Sequence, residues 1–432
     1  MSKKLIFGSS KVSSQPFNAF DLTGSHERFP FSFVYEKVLD EEKLIGSLQE
    51  MLRINPYFSA RIVGSGKGSS IVLNNGGAEF SVERVKKSIP KYGLQNPLKN
   101  DKEYFCSFVS TAGFSDQTPL LKVKLFQFDD GSILSVTASH ILTDGIGLFG
   151  FMKDWAAVAN GREPEFHEHD RFTLIHDFEG VEKSLVNRLS KLSPNLEEGS
   201  FAKMDSITKI IRISQSLIKK IMEEQRGFLK SGDWVSTRDF LTALLWKNIM
   251  DFDQIDKDEL IRLVTVCDIR KLLSLPSNYV GNAVTNRLNE LLARDAVDMP
   301  VIGMARMLRE SIESLTREDC LNDLMFLDQL LDEDRRDALY YRKPIPKNWV
   351  VVNNYSRFGW DRVDFGGEPV WFDIPAYPNV NRWVFILPSP RGDDFDCHVC
   401  LTEGEMELLE KNLINEFSGE ILISPVCRPS AS

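Results

Sequence analysis

A chain of 432 residues is longer than one hydrophobic core usually covers, so two domains of roughly 200 residues each are expected. With 42% hydrophobic residues the protein is globular, and 52 Lys+Arg against 62 Asp+Glu leave a net charge of −10. That balance argues against nucleic acid or an anionic membrane as a main partner, while leaving room for small anions in a local basic pocket. Near the start only Leu5, Ile6 and Phe7 form an apolar stretch, too short for a signal-peptide core. The weakly charged stretch 131–152 carries His140 and Asp144 in its middle and reads as strand plus helix rather than a span. A cytoplasmic monomer without a membrane span is expected.

In chain order, periodicity predicts strands over 31–38 and 70–73 and, between them, a helix over 41–54 with Leu44, Ile45, Leu48 and Leu52 on one face. Strands over 105–110, 122–128 and 133–138 follow, then a helix over 146–157. The polar stretch 161–204, with Pro164, Pro194 and the pair Glu197-Glu198, reads as a crossover. The second half opens with a strand over 206–213 and a helix over 215–225. Ser236-Thr237-Arg238-Asp239 is a capping box, with Asp in place of the usual Glu, starting an apolar helix over 240–250. A strand over 261–267, a long helical region over 299–331, strands over 349–355, 369–374, 382–387 and 395–401, and a helix over 403–417 complete the chain. This alternation predicts an α/β fold with domains over 1–178 and 206–432 and a linker over 179–205. No Gly-rich phosphate loop is present.

Six cysteines in a long chain without a signal suggest free thiols. Cys397-His398-Val399-Cys400 has metal-ligand spacing, but on a strand the two sulfurs face opposite ways and no second ligand pair exists. His167, His169, Asp170 and His176 read as a solvated loop. No metal is expected.

The most informative segment is His140-Ile141-Leu142-Thr143-Asp144-Gly145, where an apolar strand meets a helix. At such a corner a ring nitrogen faces a cavity while its neighbours stay in the core. An unperturbed imidazole, with a pKa of about 6.5, is largely neutral at pH 7 and suits a general base.

The order His140-x-x-x-Asp144-Gly145, Ser236-Thr-Arg-Asp-Phe-Leu-Thr-Ala-Leu-Leu-Trp246, Asp268-Ile-Arg270, Tyr279-Val-Gly-Asn282 and Asp364-Phe-Gly-Gly367 resembles the BAHD acyl-CoA-dependent acyltransferases. The early Asn55-Pro-Tyr-Phe-Ser-Ala-Arg61 is similar to another of that family's segments. The resemblance implies two similar domains, each a mixed β-sheet flanked by helices as in chloramphenicol acetyltransferase, with a tunnel between them. Acyl-CoA enters from one mouth, a small alcohol or amine acceptor from the other, and His140 sits midway. The implied activity is an acyltransferase of secondary metabolism moving groups other than amino-acyl groups. Acyl-CoA is the co-substrate and no cofactor is permanently bound.

A thioester is already activated, so such an enzyme needs a base and no nucleophile. His140 and Asp144 are the expected catalytic pair. The Asp144 carboxylate is expected to turn from the tunnel and pair with Arg270, as the family's Asp does. Ser236, Arg270 and Lys271 are the expected CoA contacts, with the tension that Arg270 cannot easily serve both Asp144 and a phosphate. Asp364-Phe365-Gly366-Gly367 lacks the family's Trp between the glycines, and reads either as a simple turn or as shaping the tunnel and CoA site. Two other readings stay open: a condensation-type transferase, whose motif has a second His where this chain has Ser139, and a catalytically impaired member kept as a ligand-binding or regulatory protein.

Overall fold

The chain folds, in a computed structural model, around two mixed sheets. Residues 2–9, 12–23, 28–64, 68–98, 101, 103–106, 117–165, 170–174, 206–332, 345–374, 380–390, 392–417 and 420–427 are described. The predicted linker over 179–205 and residues His167, His169 and His176 lie outside them, as does 107–110 of the predicted strand over 105–110; residues 103–106 are not a strand.

The first half carries strands β1 (Ser2–Ile6), β2 (Ser14–Pro16), β3 (Arg28–Tyr35), β4 (Arg61–Val63), β5 (Ser70–Val72), β6 (Ala78–Arg84), β7 (Leu121–Gln127) and β8 (Ser132–Ser139). Its helices are α1 (Ala19–Thr23), α2 (Glu41–Ile54) and α3 (Gly145–Ala159). The second half adds β9 (Ser206–Ile213), β10 (Leu260–Asp268), β11 (Val284–Leu292), β12 (Trp349–Asn354), β13 (Trp371–Asp373), β14 (Trp383–Pro388), β15 (Phe395–Thr402) and β16 (Ile421–Ile423). Its helices are α4 (Gln215–Glu224), α5 (Thr237–Ile249), α6 (Ala293–Asp298), α7 (Val301–Glu313), α8 (Arg317–Asp332) and α9 (Glu403–Phe417). No described helix is long and apolar enough to cross a membrane.

The strands order as β1-β6-β7-β8-β3-β13 in one sheet and β11-β10-β12-β14-β15-β9-β16 in the other, with β2-β5-β4 as a small third. Thus β13 crosses over and pairs antiparallel with β3, Phe372 opposite Phe33, so the second half completes the first sheet. One core cluster accordingly runs through both halves, from Leu134 and Trp155 to Val264, Tyr355 and Phe385. A second core packs the outer face of the seven-stranded sheet against helices, through residues such as Trp246 on α5 and Leu409 on α9.

Strand β8, which leads to His140, is buried along its whole length. Buried small polar residues call for partners, and Ser132 and Ser135 have them. Ser132 Oγ accepts the Leu39 N–H at 2.9 Å, and Ser135 Oγ accepts the Cys106 N–H at 2.7 Å and the Ser32 hydroxyl at 2.9 Å.

The predicted helical region over 299–331 holds two helices. Thr316 and Asp319 form a capping box, with Asp319 N–H to Thr316 Oγ1 at 3.1 Å and Thr316 N–H to Asp319 at 2.8 Å, which starts α8 afresh at Arg317. Strand β11 escaped the sequence reading because Asn286, Arg287, Asn289 and Glu290 break its apolar alternation; among the described strands it lies at the sheet edge, paired with β10.

Candidate active site

His140 follows the last residue of β8, and the turn from 140 to 144 delivers the chain into α3. The imidazole-bearing residue is half-buried, while Ile141, Leu142 and Thr143 behind it are buried. Ser139 beside it is fully buried. Asp144 is the N-cap of α3: its backbone is extended, and its Oδ1 accepts the Gly147 N–H at 3.0 Å. A side chain on Gly145 would meet the Phe358 ring at 2.7 Å, so the absent Cβ lets an aromatic residue of the second half close on the first turn of α3. Phe358 stacks in turn on Tyr355 at 4.7 Å and tilts onto Phe149 at 5.1 Å.

The Asp144 carboxylate points to the second half. Arg270 Nη2 donates to its two oxygens at 2.8 and 2.9 Å, and the Ala283 N–H donates to Oδ2 at 3.1 Å. Both side chains are within 3% of complete burial. Arg270 is occupied on its other side by the Tyr279 and Gly281 carbonyls and by Asp268. Burial, the largest influence on its pKa, lowers it, yet Asp144 and Asp268 outweigh that and hold it above its ordinary value. The arrangement is an ion pair between the two halves. It also leaves Arg270, one of the three expected CoA contacts, wrapped in protein groups.

A second buried network, which the sequence reading overlooked, fixes the backbone of the corner. Asn282 Nδ2 donates to the His140 carbonyl at 2.8 Å and to Asp21 Oδ1 at 2.9 Å, while its own N–H donates to the same Asp21 oxygen at 3.1 Å. Arg171 binds both Asp21 Oδ1 and the Leu142 carbonyl. Asp21 and Arg171 are completely buried. Burial alone lowers the Arg171 pKa, and Asp21 together with Tyr279 more than offsets it, so the guanidinium stays charged. Asp21 is positioned by a reciprocal bond in which its N–H donates to Asn18 Oδ1 at 3.0 Å. Three segments far apart in sequence therefore meet on two carbonyls flanking Ile141. No local pattern advertises such a meeting; the only sequence signal was the Tyr279-Val-Gly-Asn282 motif.

Asp364-Phe365-Gly366-Gly367 forms a tight loop ahead of β13. Asp364 Oδ1 accepts the N–H groups of Gly366 and Gly367 at 2.7 and 2.6 Å, and Gly366 has φ +90°, which favours glycine. The loop is fastened to the first half: Lys37 Nζ donates to the Gly366 carbonyl at 2.6 Å, Asn160 Nδ2 to the Asp364 carbonyl at 2.6 Å, and the Tyr35 hydroxyl to the Val363 carbonyl at 2.8 Å. Phe365 packs edge-on against Trp155 at 4.9 Å. The segment is a clasp between halves and lines neither cavity described below.

Ser236 caps α5 in the expected capping box, its Oγ accepting the Asp239 N–H at 3.2 Å. The helix start is not vacant positive potential: Asp239 lies against it and is paired with Arg309, whose Nε donates to Asp239 Oδ2 at 2.8 Å. Around it open two cavities of about 510 and 440 Å³ that share Ser236 and Arg238. The larger lies between α3 and the second half, walled by Ile146, Phe149, Val266 and Phe358. Lys153, Arg238 and Arg357 also line it, and among the described residues none of the three carries an ion pair. Lys271 is exposed and lines neither cavity. Cys397 belongs to the second core and Cys400 lies opposite Trp383 in the sheet, so the pair does not converge.

A family model described as the Transferase family matches residues 1–415. The chain is 24% identical over 398 residues to minovincinine 19-hydroxy-O-acetyltransferase of Catharanthus roseus, covering 86% of this chain and 84% of that one. It is 25% identical over 391 residues to anthranilate N-benzoyltransferase protein 2 of Dianthus caryophyllus, covering 84% and 82%. Among solved structures, TRI101 of F. graminearum in complex with coenzyme A and T-2 mycotoxin superposes with a TM-score of 0.77 at 14% identity, over 95% of this chain and 99% of that one. This last likeness establishes the fold.

Proposed function

Because the chain belongs to the BAHD acyltransferases, we propose that it moves an acyl group from a CoA thioester directly to a hydroxyl or amine acceptor, with His140 as general base. It is an acyltransferase for groups other than amino-acyl groups. The observation that carries the mechanistic reading is the corner itself: a half-buried His whose carbonyl is held by Asn282 and whose neighbour Asp144 is turned away onto Arg270.

In this mechanism the imidazole takes the proton of the acceptor O–H or N–H as that atom attacks the thioester carbonyl. The tetrahedral oxyanion then collapses, the C–S bond breaks, and the departing thiolate recovers the proton from the imidazolium as CoA thiol. General-base assistance of this kind contributes about 10²–10⁴-fold. Asp144 acts on the chemistry through position only, as helix cap and ion-pair partner. Hydroxyl acceptors and amine acceptors both occur among the relatives' names, an O-acetyltransferase and an N-benzoyltransferase, and both classes are proposed for this chain.

Acyl-CoA is proposed to bind along the larger cavity, its phosphates met by Lys153, Arg238 and Arg357, which have charge to spare. Ser236 lines both cavities and is kept as a contact; Arg270 is released from that role by its buried bridge, and Lys271 by lining neither cavity. The domains are proposed to span 1–178 and 206–432.

Incubating the protein with a matrix of acyl-CoAs against alcohols and amines should release free CoA thiol for at least one pair. Absence of release across the matrix would favour a catalytically impaired ligand-binding member. For the productive pair, initial rates should give intersecting double-reciprocal lines and acyl-CoA alone should add no covalent mass. Parallel lines with a trapped acyl-enzyme, the signature of covalent catalysis, would overturn direct transfer.

A further inference from the structure

Trp234 stands just ahead of the α5 cap with 53% of its surface exposed, an unusual position for the largest apolar side chain. It lines the same 510 Å³ cavity as the three uncommitted cations. One face of the indole is covered: the Arg309 guanidinium lies 4.3 Å from the ring centroid. Arg309 is itself fixed by Asp239 and by Ser236 Oγ at 3.1 Å. The indole is thus a plane backed by a fixed cation, with most of its remaining surface open beside a basic cavity.

We propose that Trp234 is a stacking platform for the adenine of CoA, an inference that rests on the acyl-CoA reading given above and adds to it the site of the nucleotide's base. An aromatic plane and cations in one cavity wall match the two recognisable parts of an adenine nucleotide, a flat base and its phosphates. Stacking needs no hydrogen-bond readout, because every base has a π-face, and the guanidinium behind the indole completes a cation–π sandwich. A bare anion has no use for the indole, and an apolar acyl chain has none for Lys153, Arg238 and Arg357.

The test titrates the full-length protein, Trp234→Ala and Trp234→Phe with three probes by calorimetry: CoA, adenosine 3′,5′-bisphosphate and pantetheine. Trp234→Ala should weaken CoA and the bisphosphate alike, by about 5- to 100-fold, the range of base–aromatic stacking. Pantetheine affinity should not change, Trp234→Phe should recover most of the loss, and the melting midpoint should stay in place. Unaltered CoA affinity in Trp234→Ala removes the platform and leaves the acyl-CoA reading standing. An equal loss for pantetheine also removes it, because the residue would then act on the cavity as a whole. Wild-type protein that binds neither CoA nor the bisphosphate overturns both readings together.

Discussion

Helices α3 and α5 each carry at their N-terminal end an aspartate gripped by a distant arginine, Asp144 as the N-cap of α3 with Arg270 and Asp239 in the first turn of α5 with Arg309. The first pair is 2–3% exposed, crosses between the halves, and is tied to backbone N–H and carbonyl groups on both sides. The second is 6% and 17% exposed, stays within the second half, and lies in the wall of an open cavity. The same two side-chain types therefore do different work. Desolvation makes a fully enclosed bridge costly to break singly, whereas a bridge in a cavity wall whose carboxylate is also held by its own helix cap loses less. At α3 the bridge fixes the direction in which the chain leaves His140; at α5 it fixes Arg309 under Trp234 and leaves Arg238 free to face the cavity.

The largest effect should come from the residue that the α3 start presents. His140→Ala should lower kcat by about 10²–10⁴-fold with an unchanged melting temperature. Near-normal turnover would strip that region of its chemical role and reduce the contrast to one of stability. Asp144→Ala and Arg270→Ala come next. Each should cost about 3–5 kcal/mol of unfolding free energy, because either leaves a buried unpaired charge. Denaturant titration of the double variant should give well below the sum of the two; additive losses would mean that the bridge is not one.

Asn282→Ala sharpens the contrast further, since it removes the amide joining the His140 carbonyl to the Asp21 carboxylate while leaving the Asp21–Arg171 ion pair in place. A loss of about 1–3 kcal/mol is expected from the unsatisfied groups left behind. Turnover should fall while the KM for either substrate holds; a fall in stability with kcat intact would make the network purely structural. The smallest effect belongs to the other helix start. Arg309→Ala should cost less than Arg270→Ala, because the stranded Asp239 carboxylate still accepts the Ser236 N–H and hydroxyl at 2.8 and 2.7 Å. A loss matching that of Arg270→Ala, measured in the same denaturant series, would erase the distinction between the two regions.

By itself the sequence determined what depends on neighbours along the chain. Apolar periodicity placed α2, β9 and α9 close to their final bounds, the Ser236–Asp239 spacing marked the start of α5, and the position of His140 at the end of an apolar strand marked the corner. Ordered motifs added the family, and with it the expectation that Asp144 and Arg270 meet. Only the tertiary structure decided what depends on groups far apart in sequence. Asp21, Arg171 and Asn282 converge on the backbone around His140 across as many as 261 residues; Asn282 stands in a family motif, but nothing near Asp21 or Arg171 distinguishes either from an ordinary charged residue. Likewise Lys153, Arg238 and Arg357 are three ordinary cations in the sequence and become a basic wall where α3, the start of α5 and the segment after β12 line one cavity. Local spacing encodes periodicity and caps because these involve residues within a few positions of one another. Burial and charge pairing are properties of the assembled interior, where desolvation, not sequence distance, sets which side chains must find each other.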